Sequence, residues 1–325
     1  MKKLFFIIIV LSFNYLLLTA VIFTFSYISL SQGKTYDLFW IKSIQKKIYF
    51  KGYRNIWQNN SDCTAFDKNL LYKPSEGKCF FSNPEFNTVL NFDKYSRIHN
   101  PLKQNLEEND YILVLGDSVA MGWGVNDNET FASKLEILTN KKVYNLAVSS
   151  YGTKREIKKM FLTPYFKNSD TIIIQYHPND LDENKNLQYN KVYSKKEFNE
   201  IFKKNNRISN FKLILRNYKS SLRLFFSDLN DLIFKEKNLE IYDFKENQKY
   251  LEKVIKEHIP LQGKNVIVIW PIQPWQKVIN FSKQNSEINY IIIELEESDF
   301  FIIDDHPNKK GHSKIASVLY DLIKN

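Results

Sequence analysis

Cysteine is nearly absent from this chain of 325 residues, which has only Cys63 and Cys79. Neither lies in a cluster with metal-ligand spacing, so nothing in the sequence supports a zinc site. A disulfide between the two is possible in an oxidising compartment, and two buried free thiols are the alternative. Histidine is also scarce, with five residues at His99, His177, His258, His306 and His312, so few imidazoles are available for proton transfer. Between Leu4 and Gly33 charge is missing altogether. That run exceeds the roughly 20 residues needed to cross a bilayer. Ala20 is its only alanine, and bulky residues follow it. No small-residue cleavage site is evident, and the run is longer than the apolar core of a signal peptide. The sequence predicts an uncleaved signal anchor over residues 1–33. A buried helix of a soluble protein is the alternative, but such helices rarely run so far without a polar face. Lys2 and Lys3 precede the run and no comparable charge follows until Lys34, which predicts a cytoplasmic N-terminus. The expected localisation is a single-pass membrane protein with its body on the extracytoplasmic side, periplasmic or extracellular.

Residues 34–110 show no sustained period and read as a stalk and an N-terminal extension packed on the main domain. From Tyr111 the pattern alternates between strand and helix. YILVLG, KVYNLAV, DTIIIQY and NVIVIW read as strands, and DFFIID as a last short one. TFASKLEIL, TKREIKKMFLTPYF, ENQKYLEKVIKEHI and KKGHSKIASVLYDLI read as helices. Nearly continuous apolar strands separated by helices predict an α/β three-layer sandwich with a mostly parallel sheet over residues 111–325. Ligands of such sheets sit beyond the carboxyl ends of the strands. Ser118, Ser150, Asn179 and His306 all follow predicted strands.

Residues 181–245 interrupt this alternation. Positions 185–224 hold eleven Lys/Arg and two Glu, a local net charge of +9 against +10 for the whole chain. Phe211, Ile214, Tyr218, Leu222, Phe225, Leu229 and Leu232 form one helical stripe. A helical cap with a solvated basic edge is one reading of this insert, and contact with anionic lipid or glycan is the other. Nucleic acid is not expected as a partner, because the body is exported and no stacking motif is present.

The chemistry concentrates in two fragments, GDSVAMGWGV from Gly116 and DDHPNKKGH near the C-terminus. Ser118 follows a strand, where a turn can expose its hydroxyl, but a serine needs a base to become nucleophilic. His306 is the best candidate base because Asp304 and Asp305 immediately precede it. Asp304, two residues away, is expected to orient the imidazole, and Asp305 is the alternative. His312 is expected to cap or pack the C-terminal helix, His258 lies in a predicted surface helix, His99 has no clear partner, and His177 is a pocket candidate. Oxyanion donors are expected from the N–H of Ser118, the N–H of Ser150 in AVSSYGT and the Asn179 side chain in QYHPND.

In these blocks the chain resembles the SGNH family, also called GDSL hydrolases. GDSV at 116–119 matches the nucleophile block, HPND the block carrying the oxyanion Asn, and DDHPNKKGH the block carrying acid and base. The family usually has glycine where this chain has Ser150, and Gly152 is the alternative equivalent. The resemblance covers roughly residues 110–180 and 262–323. It implies the catalytic set Ser118, Asp304 and His306, the oxyanion set Ser118, Ser150 and Asn179, no cofactor, and a shallow site built from loops rather than a sharp strand–Ser–helix elbow. The expected activity is that of a serine esterase or O-acyltransferase acting on small O-acyl groups, particularly acetyl, of cell-envelope glycans. The expected substrate is an O-acylated carbohydrate or lipid. A membrane-surface lipase or phospholipid acyl hydrolase is one rival, and a non-catalytic envelope glycan-binding or assembly protein is the other.

Overall fold

The computed structural model describes residues 2–98, 111–203, 218, 239–282, 284–285 and 287–324. The charge-free run forms one helix, α1 (Lys2–Ser31). At 1.5 Å per residue it is about 45 Å long. Leu4–Leu11 all point apolar side chains outward, so over this stretch α1 has no polar face to turn toward water. A short connection leads to α2 (Phe39–Ile48) and a π-helical turn over Tyr49–Tyr53.

The segment beyond this turn carries regular structure. Two antiparallel hairpins form, β1 (Thr64–Asp67) with β2 (Leu71–Pro74), and β3 (Gly77–Asn83) with β4 (Phe86–Phe92). Cys63, just before β1, and Cys79, within β3, are joined in a buried disulfide that ties the two hairpins together. Trp57, Tyr72, Phe81, Leu90 and Phe92 enter the same apolar core as the main sheet, so the extension is part of the body.

The main domain then runs β5 (Tyr111–Gly116), α3 (Ser118–Met121), α4 (Phe131–Thr139), β6 (Val143–Asn145), α5 (Thr153–Phe161), β7 (Ser169–Gln175), α6 (Asp180–Asn186) and α7 (Lys195–Lys203). It continues with β8 (Glu240–Asp243), α8 (Phe244–His258), β9 (Asn265–Ile272), β10 (Gln276–Ile279), β11 (Gln284–Asn285), β12 (Ile288–Glu294) and α9 (Lys309–Lys324). The principal sheet has the order β11-β12-β9-β7-β5-β6. Its five longer strands are parallel, and β11 adds a short antiparallel edge.

Side chains on a strand alternate between faces, and β5 shows the result directly. Ile112 and Val114 join the core under α4 and α9, whereas Leu113 and Leu115 join the core under α5 and α8. The expected three-layer α/β sandwich is thus present, and both strand faces are apolar because both are covered.

Two segments differ from the sequence reading. DFFIID is not a strand: Glu297–Asp299 is a 3-10 turn, and the N–H groups of Ile302, Ile303 and Asp304 all point at the Glu85 carboxylate. Those donors cannot also build a sheet ladder. The fifth parallel strand is instead β12, whose INYIII run has the β-branched composition such strands favour. The helix expected over TKREIKKMFLTPYF stops at Phe161, and a separate 3-10 turn covers Tyr165–Asn168. Of the apolar stripe expected in the insert, only Tyr218 falls among the described residues. It is helical, and its ring stands edge-on to Phe23 of α1 at 5.3 Å between centroids. His99 lies outside the described residues.

Candidate active site

The nucleophile block works because of its first residue. Gly116 ends β5 at φ +143°, and a Cβ there would stand 2.7 Å from the Ala120 Cβ and 2.9 Å from the Gln175 Cβ. Glycine alone lets the chain double back so tightly. Asp117 then caps α3, its carboxylate accepting from the N–H of Val119 at 3.0 Å. Gln175, at the end of β7, accepts from the N–H of Ala120 at 3.1 Å. Ser118 is therefore the first residue of a short helix, two positions beyond the last residue of the strand. This corrects the expectation of a purely loop-built site, since the serine does sit between a strand and a helix.

Ser118 and His306 are 188 residues apart in sequence, yet His306 Nε2 lies 2.8 Å from Ser118 Oγ. On the other side of the ring, His306 Nδ1 is 2.5 Å from Asp304 Oδ1. Asp305 is farther from Nδ1, at 3.3 Å, and its side chain is 43% exposed where that of Asp304 is fully buried. The geometry favours Asp304 as the partner that orients the ring. The imidazole stacks on Trp123 with centroids 4.8 Å apart.

The acid is held from several sides. Asp304 Oδ2 accepts from Trp123 Nε1 at 3.1 Å and from the Tyr49 hydroxyl. Arg54 Nη2 lies 3.3 Å from Asp305 Oδ1 and 3.2 Å from His306 Nδ1. Its guanidinium lies over both Phe50 and Trp123, 4.8 Å from each ring centre. Tyr49, Arg54, Glu85 and Trp123 were not among the sequence candidates. Only Trp123, inside the nucleophile block itself, carried a local signal.

Burial disfavours the charged imidazolium of His306, but Asp304 and then Asp305 outweigh it and raise the pKa to about 9. A base must be neutral to take a proton. Modification of Ser118 by a fluorophosphonate probe should therefore accelerate as pH rises from 6.5 toward about 9. Asp305→Asn removes one of the two carboxylates that raise the ring, so the acid limb should move to lower pH. Labelling rates across a pH series check this, and a parental limb at or below 6.5 would contradict it.

Ser118, Ser150, Asn179, His177, Asp305 and His306 line one cavity of about 450 Å³ at the carboxyl edge of the sheet. Among the described residues, the N–H groups of Ser118 and Ser150 and the Asn179 Nδ2 have no protein acceptor, which leaves three donors on residues lining this space. Ser150 adopts φ +63°. That left-handed conformation gives a physical reason for glycine at such a position. Gly152 does not line the cavity: it stands at the N-cap of α5 against Glu183, where a Cβ would come within 2.8 Å of that side chain. The alternative alignment on Gly152 is thus not the one the geometry favours. His177 Nδ1 faces the N–H of Asn179 at 3.4 Å.

The remaining described histidines are structural. His312 is buried in α9, accepts from the N–H of Phe131 at 3.2 Å, and is pushed down to about 3 by burial. His258 stacks on Tyr189 with centroids 3.9 Å apart.

No protein-family model and no curated protein matches the chain. Among solved structures it is similar to a carbohydrate esterase described as having divergent catalytic and non-catalytic binding functions at its active site. That match has 12% identity and a TM-score of 0.34, and covers 80% of this chain and 85% of the other. A second is a carbohydrate esterase family 2 enzyme with a carbohydrate-binding domain from Corynascus thermopiles (Myceliophthora fergusii). Here identity is 12% and the TM-score 0.29, with 70% of this chain and 68% of the other covered. A third is a member of the lipolytic G-D-S-L family from Veillonella parvula DSM 2008, at 12% identity and a TM-score of 0.27, covering 66% of this chain and 98% of the other. These likenesses are loose, so the chemistry rests on the geometry of the chain's own residues.

Proposed function

We propose that the chain is a serine esterase or O-acyltransferase that removes or transfers small O-acyl groups, particularly acetyl, on cell-envelope glycans. The observation that carries this reading is the continuous line Ser118 Oγ, His306 Nε2, His306 Nδ1 and Asp304 Oδ1, at 2.8 and 2.5 Å. A serine and a histidine beyond hydrogen-bond reach would have favoured the non-catalytic rival.

In the first half-reaction His306 takes the Ser118 proton as Oγ attacks the ester carbonyl. The carbonyl π electrons move onto oxygen, where the N–H groups of Ser118 and Ser150 and the Asn179 amide receive the charge. The intermediate collapses, the ester C–O bond breaks, and His306 returns its proton to the departing alcohol. Acyl-Ser118 remains. Water completes hydrolysis in the second half-reaction, and a sugar hydroxyl completes transfer.

The cavity supports a polar substrate. Gln58, Ser149, Gln273, Gln276 and Glu240 line it together with Trp270 and Trp275. Mixed polar groups and aromatic faces suit a sugar better than a long acyl chain, which calls for a continuous apolar channel. On this reading residues 4–33 anchor the body on the extracytoplasmic side, where the Cys63–Cys79 disulfide is chemically at home. The excess of Lys/Arg over residues 185–224 suits anionic lipid or glycan, and Tyr218 of the same insert packs on Phe23 of α1.

The test is incubation of the full-length chain in detergent micelles with a short-chain aryl acetate, alongside Ser118→Ala. Acetate release by the parent, an acetylated Ser118 peptide by mass spectrometry, and loss of both in the variant are expected. Adding a saccharide acceptor then separates the two outcomes, since a transferase diverts acetyl to sugar. A folded parent that neither releases acetate nor becomes acylated overturns the proposal for acetyl esters.

A further inference from the structure

The last third of α1 does more than lead into the body. Phe23 and Leu30 are buried with Ile44, Ile48 and Tyr49 of the next helix and turn, and with Ile303 of the acid loop. Gln45, fully buried, ties the junction together: its Nε2 donates to Ser29 Oγ and to the Lys34 carbonyl, both at 2.9 Å, and its Oε1 accepts from the N–H of Tyr36 at 3.0 Å. Tyr49 sits at the inner end of this cluster with no exposed surface. Its hydroxyl crosses from the cluster to the catalytic loop and donates to Asp304 Oδ2. Burial, and next the Asp304 charge, push the Tyr49 phenol well above its ordinary pKa, so it stays a donor.

We infer that Tyr49 is a positioning residue for the Asp304 carboxylate, held in place by the docked end of the anchor helix. The inference rests on the serine-esterase reading. Asp304 has two oxygens with different tasks. Oδ1 meets His306, and Oδ2 is occupied by Tyr49 and Trp123, which fixes the carboxylate plane and draws charge away from Oδ1. Without the phenol, Oδ2 keeps the Trp123 indole as a hydrogen-bond donor and the Arg54 Nε at 3.8 Å. More charge then falls on Oδ1, the imidazolium gains stability, and His306 is neutral only at higher pH. Rotation of the carboxylate also costs alignment of the base. Phe23 and Leu30 act one step further out, through the packing of Tyr49 and Ile303.

The experiment uses the full-length chain in nanodiscs. It compares the parent with Tyr49→Phe, the double variant Phe23→Ala/Leu30→Ala, and Leu17→Ala on the exposed side of α1, reading aryl-acetate kinetics and fluorophosphonate labelling of Ser118 against pH. Tyr49→Phe keeps the ring and so the packing. It should lower kcat about tenfold, leave KM within about twofold, and raise the acid limb by about half a pH unit. The double variant should move both readouts in the same direction, and Leu17→Ala neither. Thermal melting separates this from damage: a fall in kcat that tracks a lower melting temperature, with the limb unmoved, overturns the inference. So does a Tyr49→Phe protein with parental kcat and limb while the parent is labelled at Ser118. A folded parent that is not labelled at all overturns the esterase reading, and this inference with it.

Discussion

Replacing His306 by alanine should cut ester turnover by roughly 10⁵- to 10⁶-fold, with little change in KM. Among the described residues no second imidazole is placed to take over. His312 is sealed in α9 with one nitrogen on the Phe131 N–H, and His177 turns its Nδ1 toward the Asn179 amide. The residual rate should come from the oxyanion donors and from binding, which persist when the base is lost. Because Trp123 keeps the Arg54 guanidinium over one face, the variant should still fold. Steady-state kinetics with a melting curve measure both quantities. A loss below about 100-fold would place the base elsewhere, since general base catalysis alone contributes on the order of 10² to 10⁴.

The largest expected effect on stability is at Arg97, whose side chain is fully buried yet charged. Its Nε donates to Asp127 Oδ1 at 2.8 Å. Nη1 reaches the carbonyls of Met121 and Gly122 at 2.7 and 2.8 Å, and Nη2 that of Val125 at 2.7 Å. One guanidinium thus closes the turn that carries Trp123 to the imidazole. Arg97→Ala takes the cationic partner from Asp127, which keeps its Asn91 donors, and removes a donor from three carbonyls, of which Gly122 retains the Val125 N–H at 3.4 Å. Breaking a buried pair from one side costs about 3–5 kcal/mol, a large share of the 5–15 kcal/mol that typically holds a domain. The melting temperature should fall by on the order of 10 °C, and Ser118 labelling should slow as the Trp123 turn loosens. Arg97→Lys should recover only part of the loss, because an ammonium cannot reproduce the planar fork. A melting temperature within about 2 °C of the parent would show that the buried network contributes little.

The parts of the site that were legible in the sequence are those with local signatures. A charge-free run, a serine just after an apolar strand, and a carboxylate two residues before a histidine each occupy a few consecutive positions. Four of the five parallel strands were legible for the same reason, since runs such as Ile112–Leu115 and Val266–Ile269 are continuously apolar, whereas β12 was missed. The features that escaped are long-range. Tyr49 meets Asp304 across 255 positions, and Glu85 reaches the same loop across 219. Neither tyrosine nor glutamate announces such a partner, because neither forms a motif with its neighbours. DFFIID failed as a strand for a related reason: its apolar side chains suit a strand, but a distant carboxylate claims its backbone donors. Ser150 was legible as a departure from glycine, yet only the backbone shows that the departure keeps the left-handed turn.

The clamped junction between α1 and α2 also has a mechanical consequence. A free linker the length of residues 32–38 lets its ends separate by roughly 15 Å and swing in any direction. Here Gln45 and the Phe23–Tyr49 cluster remove that freedom. With α1 in a bilayer, the mouth of the cleft stands at one altitude and one tilt. On the proposed reading the cleft then patrols a thin sheet of space parallel to the lipid rather than a hemisphere, and a polymeric substrate is open to it only along the stretch that crosses that sheet.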